Sequence, residues 1–133
     1  MALIRRKGIA IVEFPQGILV VAGRNKLYML PGGGANHSES REKATVRELY
    51  EETGLKTKEI NYLFRYVGRT WYARGKTVKN HAKVFLIKTS GKPRPRNEIK
   101  YIHFWSKDSK IRLSRGHIQV IDGYLKIKTL SKK

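Results

Sequence analysis

Cysteine is absent from the 133 residues. That removes disulfide scaffolds, thiolate zinc sites and cysteine nucleophiles from consideration, without fixing a compartment. Acids are scarce: 10 Asp and Glu stand against 29 Lys and Arg, a formal charge of +19. Long apolar runs are missing too. No stretch approaches the ~18–20 apolar residues of a membrane span. Residues 1–7 (MALIRRK) lack the apolar segment and small-residue cleavage site of a secretory signal. Proline is limited to four residues, Pro15, Pro31, Pro93 and Pro95, each read as a turn, a strand stop or a loop. With a hydrophobic fraction of 40%, the chain is expected to form one domain, residues 1–133, with a modest core. It reads as soluble and cytoplasmic, with no membrane contact.

A field this positive attracts polyanions: nucleic acid, nucleotides, inositol phosphates or anionic lipid. Lysine-rich surfaces also serve solubility. The distribution says more than the total. Half of the acids (Glu39, Glu42, Glu48, Glu51 and Glu52) fall within residues 39–52. An acidic island in so basic a chain calls for a local reason.

Residues 4–13 alternate loosely into the apolar run Gly8–Val12 and read as a strand. Pro15–Gln16–Gly17 makes a turn, and Ile18–Ala22 reads as a second strand in hairpin relation to the first. Lys26–Leu30 is a short strand stopped by Pro31, with a glycine loop behind it. Residues 40–53 read as a helix, with Ser40 as N-cap and Gly54 as the stop. Two long strands are expected at 59–70 and 76–89, turning at Gly75. A basic loop follows at 90–97 and a last strand at 100–105. An amphipathic helix at 117–130, marked by Ile118, Ile121 and Leu125, closes the chain. Ser131–Lys133 are expected to fray. Strands, helix, strands, helix predict an α/β sandwich with a mixed sheet.

The informative stretch is Gly33–Leu55 (GGANHSESREKATVRELYEETGL). At about 100° per residue with Ala44 at zero, Val46, Leu49, Tyr50 and Thr53 fall between about 140° and 240°, the expected apolar face. Glu48, Glu51 and Glu52 fall between about 340° and 80°, on the opposite side. Like charges at i, i+3 and i+4 repel by a few tenths of a kcal/mol per pair. A hard divalent cation removes that penalty, because Mg²⁺ takes oxygen ligands and leaves places for water and substrate phosphates. A solvated acidic face is the ordinary alternative. Here, however, the carboxylates follow a glycine loop, whose backbone can approach a ligand closely, so a Gly33 carbonyl could join them.

Gly33, five residues, Glu39, seven residues, then Arg47–Glu48–Leu49–x–Glu51–Glu52–x–Gly54–Leu55 matches the Nudix box at every defining position. On those residues the chain resembles the Nudix family. The resemblance implies a Nudix α/β/α sandwich. It also implies hydrolysis of a diphosphate linkage in a nucleoside diphosphate joined to another group, with Mg²⁺ or Mn²⁺ as the metal. It makes Glu48, Glu51 and Glu52 metal ligands beside the Gly33 carbonyl, and Glu52 or Glu48 a helper in deprotonating the attacking water. Arg47 would hold the acidic cluster in place, with Glu39 as its partner or as a peripheral metal ligand. The chemistry agrees, since a bound cation sharpens water as a nucleophile and neutralises phosphate charge. Family members often carry one more carboxylate before the last strand, and Glu98 occupies that place. Two readings stand for it: metal ligand or base, or an ion-pair partner of its basic neighbours. Asn36 and Ser38 depart from residues often seen in the family, outside the defining pattern.

Substrate signals are thinner. The family's ADP-ribose subgroup carries a proline roughly 15 residues past the box, where this chain has Arg69, Thr70 and Trp71. The extended motifs of the NADH and coenzyme A subgroups are missing as well. Tyr72 stands where dinucleoside polyphosphate hydrolases tend to place a tyrosine. Trp71 and Tyr72 either stack a base or cover the sheet. Arg69, with Arg65, Arg74, Lys76, Lys79, Lys83 and the loop 92–96, offers phosphate contacts or a solvated basic face. The expected substrate is a nucleoside triphosphate or a dinucleoside polyphosphate. The second reading is a basic RNA-binding or RNA 5′-end-processing module with little small-nucleotide turnover. Family relatives are often dimers, so a homodimer is one expected state. His37 lies in the box loop, and His81, His103 and His117 show no ligand spacing.

Overall fold

The computed structural model describes residues 3–131. The chain runs through β1 (Leu3–Ile11), β2 (Glu13–Phe14), β3 (Gly17–Ala22), β4 (Leu27–Tyr28) and β5 (Gly32–Gly34) into α1 (Arg41–Thr53). It continues through β6 (Lys56–Val67), β7 (Trp71–Ala73), β8 (Lys76–Ser90), β9 (Tyr101–Trp105) and β10 (Arg112–Leu113) to α2 (Arg115–Ser131). The main sheet has the order β5-β1-β8-β6, with β7 also paired to β8. β1 and β8 are parallel while β5, β6 and β7 pair antiparallel, so the sheet is mixed, as expected. β2, β3 and β9 form a second small sheet, and β4 pairs with β10.

Strand alternation assigns the two helices to opposite faces. Ile9 and Ile11 of β1 and Val84 of β8 pack with Val120, Ile121 and Tyr124 of α2. Their neighbours Ala10, Val12, Phe85 and Ile87 pack with Leu49 of α1 and with Leu55. A run that is apolar on both faces is what a strand between two layers requires. This is the α/β/α sandwich. No helix of the described residues is long and apolar enough to cross a membrane.

Several boundaries differ from the sequence reading, each for a local reason. The first hairpin forms through β2 and β3, with Glu13 opposite Ile18, but β1 and β3 then part into different sheets. The expected strand 59–70 runs from 56 to 67 and ends where the Gly68 amide bonds the Asn80 carbonyl at 3.0 Å. Arg74 and Gly75 both have positive φ (51° and 76°), the two-residue turn that matches strand twist. The glycine loop is itself a strand, since β5 pairs with β1. α2 begins at Arg115 rather than 117. It reaches Ser131, while Lys132 and Lys133 of the expected frayed end lie outside the described residues.

Candidate active site

α1 has the ends its sequence dictates. The Ser40 side chain accepts from the Lys43 amide at 3.0 Å, and Gly54 takes a left-handed φ of 77° to turn its N–H back to the Tyr50 carbonyl. Its orientation departs from the wheel. The buried residues are Ala44, Thr45, Leu49, Glu52 and Thr53, centred near about 90° rather than 190° on the same wheel. Tyr50, expected inside, is 44% exposed, and Glu52, expected outside, is only 7% exposed. Two of the three carboxylates, Glu48 and Glu52, therefore lie in the buried stripe.

Glycines on the facing strands explain the rotation. A Cβ on Gly8 would collide with the Thr45 hydroxyl and the Arg41 carbonyl, and one on Gly33 would sit 2.5 Å from Glu48 Oε2. Because β1 and β5 present no side chain there, the polar side of α1 presses against backbone. The wheel weighs only the helix's own residues and is blind to such a partner.

Arg47 organises the carboxylates. Its Nε and Nη2 donate to Glu39 Oε2 and Oε1 at 2.9 and 3.0 Å, a bidentate pair. Nη1 donates to Glu48 Oε1 at 2.6 Å and lies 3.3 Å from Glu51 Oε2, while Nη2 reaches the Gly34 carbonyl at 3.1 Å. Arg47 thus ties the box loop to the helix. Glu39 also accepts the Asn36 amide. The Arg47 guanidinium first, and that amide second, hold its carboxyl down at about 2. Both Glu39 oxygens are engaged, which places it as the partner of Arg47. Glu51 is half exposed and turned toward Arg47. No three His, Asp or Glu of the described residues are gathered closely enough to hold a metal ion in this arrangement.

Glu52 is the most perturbed acid. Burial pushes its carboxyl up to about 8, against the Gly32 amide that donates to Oε1 at 3.0 Å, and the charges of Glu48, Glu98 and Glu51 push the same way. Glu48 is raised by burial, opposed by Arg47, with Glu51 and Glu98 adding to the rise. Glu98 is exposed, yet its charge is felt by both. The loop before β9 therefore brings its charge within reach of both.

How that loop is held was not visible in the sequence. The Arg94 and Arg96 amides donate to the Thr53 and Glu52 carbonyls at 2.9 and 3.1 Å. Asn97 Nδ2 donates to the Glu51 carbonyl at 2.7 Å, and Arg96 Nη1 to the Tyr50 carbonyl at 3.1 Å. The Arg96 guanidinium also lies over the Tyr50 ring, 4.8 Å from its centroid. Arg96, grouped above with residues offering phosphate contacts, is spent on capping α1.

Of the carboxylates, Glu52 lines a cleft of about 320 Å³ on the α2 side of the sheet. Glu52, Gly32 and Gly33 form one end, and Lys7 and Ala82 lie on its strand floor. Tyr66, Arg69, Trp71 and Asn80 line the far part, and residues 114–117 at the start of α2 form a wall. Trp71 and Arg69 were expected at a substrate site and line this cleft. Tyr72 does not: alternation along β7 turns it to the opposite side from Trp71, and it is 71% exposed. Lys7, Tyr66 and His117 were missed. His117 Nδ1 accepts the Leu30 amide at 3.0 Å, and burial lowers its pKa to about 4, with a smaller push from Lys7. Lys7 had a signal, since it precedes Ile9 and Ile11 at strand spacing and must share their face.

A mixed sheet between two helices, with a box helix presenting the buried Glu52 to a cleft, defines a Nudix-type hydrolase fold. A family model, the NUDIX domain, matches residues 4–119, and the chain belongs to the Nudix family. A solved nudix hydrolase family member from Chromobacterium violaceum is 35% identical, with a TM-score of 0.80, covering 96% of this chain and 81% of that one. An ADP-ribose pyrophosphatase of Methanocaldococcus jannaschii is 28% identical over 123 residues, 89% of this chain and 71% of that protein. RNA pyrophosphohydrolases of Histophilus somni are 45% identical over 49 residues, 37% of this chain. That match spans 24% of the curated protein's length.

Proposed function

We propose that residues 1–133 act as one Nudix domain that hydrolyses a diphosphate linkage in a nucleotide, with Mg²⁺ or Mn²⁺ as cofactor. The observation that carries this reading is Glu52, a buried carboxylate that accepts the Gly32 amide at one end of the cleft, beside Gly33. Burying such a group is costly unless a cation meets it. The donors fit a hard cation, because they are all oxygens and because the absent Gly33 side chain leaves Glu48 Oε2 against bare backbone. Glu48, Glu51, Glu52 and the Gly33 carbonyl would hold the metal, with Glu51 swinging away from Arg47. When bound, the cation supplies an activated water and neutralises phosphate charge.

The chain's own residues do the rest. Glu52 or Glu48 takes the proton of the attacking water, and Glu98, from the loop pinned to α1, serves as a further base or ligand. Arg47 positions Glu48 through its bond to Oε1 and is itself aligned by Glu39. Trp71 and Tyr66 offer aromatic faces to a base, and Arg69 offers donors to phosphate. A nucleoside triphosphate or dinucleoside polyphosphate fits the basic surroundings. A second reading, an RNA 5′-end processor or RNA-binding module, draws on the +19 charge and on the likeness to RNA pyrophosphohydrolases. Action as a homodimer in the cytoplasm rests on the family resemblance and the sequence reading.

A hydrolysis panel with Mg²⁺ and then Mn²⁺ tests this, reading products by chromatography. It holds nucleoside triphosphates, dinucleoside polyphosphates, ADP-ribose and 5′-triphosphorylated RNA, with Glu52→Gln beside the wild type. Turnover of one class, lost by about 10²–10⁴-fold in Glu52→Gln, is expected. No turnover of any class, or turnover indifferent to Glu52, overturns the reading, and tight salt-sensitive RNA binding would then favour the second.

A further inference from the structure

Lys7 is a half-buried charge that the mechanism above leaves unused. It sits on β1 beside Gly34 of β5 and Ala82 of β8, and its side chain lines the cleft next to Gly32, Gly33 and Glu52. Among the described residues no ion pair or hydrogen bond reaches its ammonium, and no carboxylate lies at ion-pair distance. It is half-buried. Burial first, and Arg5 second, hold its pKa below the usual lysine range, while Glu48 and Glu52 favour the charge from beyond contact.

A lysine kept only to balance Glu48 and Glu52 would close on them, as Arg47 closes on Glu48. Lys7 instead stands on the cleft floor, facing the space a ligand occupies and the carboxylates only from a distance. An ammonium half out of water and unpaired is unfavourable on its own, and a phosphate oxygen is its natural counterpart. The other cations lining the cleft, Arg69 and Arg115, are exposed and keep their water.

We propose that Lys7 is a substrate-binding residue whose Nζ donates to a non-bridging oxygen of the bound diphosphate, on the α2 side of the carboxylate cluster. The ligand class is any molecule carrying a diphosphate. The assignment rests on the pyrophosphohydrolase reading for the identity of the substrate, and on the cleft geometry alone for anion binding.

The test uses the full chain with Mg²⁺, inorganic pyrophosphate and an α,β-methylene nucleoside diphosphate, read by calorimetry. Lys7→Met is expected to weaken both ligands about 10-fold or more, and Lys7→Arg to restore most of the affinity. Mg²⁺ binding without diphosphate is expected to be unchanged or tighter in Lys7→Met, since a like charge has been removed. Diphosphate binding within twofold of wild type in Lys7→Met overturns the proposal. Should Lys7→Met fail to fold, wild-type protein is acetylated with and without pyrophosphate and mapped by mass spectrometry. Protection of Lys7 but not of exposed Lys58 supports the assignment, and equal labelling of Lys7 overturns it. The two readings fail separately. Lys7-dependent pyrophosphate binding without turnover leaves the anion site standing and sinks the hydrolase reading. Turnover indifferent to Lys7→Met does the reverse.

Discussion

α1 and α2 cover opposite faces of one sheet by different means. α2 buries Val120, Ile121 and Tyr124, and an aliphatic side chain taken from water stabilises by roughly 1.5–3 kcal/mol. α1 buries Ala44, Thr45, Leu49, Glu52 and Thr53, of which only Leu49 is a large apolar residue. What holds α1 is polar and comes from elsewhere: the Ser40 cap, the Arg47 ties and the loop at its C-terminus. One helix settles stability, while the other keeps carboxylates in a dry setting where their charge matters. The contrast shows why a charged stripe can be an inner face, provided the opposing strands offer glycine.

Paired substitutions sharpen that contrast most. Ile121→Ala on α2 is expected to cost about 2–5 kcal/mol in chemical denaturation while leaving turnover per folded molecule within a few-fold. Glu48→Gln on α1 is expected to cut turnover by roughly 10²-fold or more at nearly unchanged stability. If Ile121→Ala abolished turnover of the folded fraction, the division of labour between the helices would be wrong. Gly33→Ala is a milder blow. Its Cβ would displace the Glu48 carboxylate, and a shift of about 1 Å at a reacting group costs on the order of 10²-fold. Mg²⁺ affinity and turnover should fall together, and a fully active Gly33→Ala would remove Glu48 from the metal set.

pH separates the two helices as well, and they should pull in opposite directions. Burial pushes the Glu52 carboxyl from the ordinary 4.5 up to about 8. Without divalent cation its contribution is therefore full below about 4.5 and lost as pH rises through about 8. His117 on α2 is lowered from 6.5 to about 4. Its contribution is present above 6.5 and lost as pH falls through about 4. Each limb is expected to span on the order of a few kcal/mol. Denaturation across pH in chelator should show Glu52→Gln flattening the alkaline limb and His117→Asn the acid one.

The box helix, its two caps and the mixed sheet were legible in the sequence, whereas the pairing of Arg47 with Glu39 came only from the family resemblance, which left a peripheral metal ligand as the alternative for Glu39. The helix, caps and sheet depend on neighbours in sequence or on one spacing pattern. The rotation of α1 was not legible, because it is set by Gly8 and Gly33 across the interface. Tyr72 was misplaced for a simpler reason: a motif offset counts residues, whereas a strand alternates faces, and one step separates Trp71 in the cleft from Tyr72 in solvent. His117 looked idle because its place in the cleft depends on where α2 begins, and Lys7 because one lysine in a basic chain carries no signal of composition.

The last four carbonyls of α1, from Tyr50 to Thr53, receive donors from Arg94, Arg96 and Asn97, and these are groups a helix end leaves bare by itself. This has a consequence for assembly. A chain emerging from synthesis has the whole of Gly33–Leu55 long before residue 94 arrives, yet its helix end has no cap beyond Gly54 and Glu98 does not yet exist. Closure waits on contacts more than 40 residues apart in sequence, the kind of long-range step that slows folding. The motif is thus complete early and the site late, and shortening the 90–98 loop would act on the timing of maturation before it touched any residue of the box.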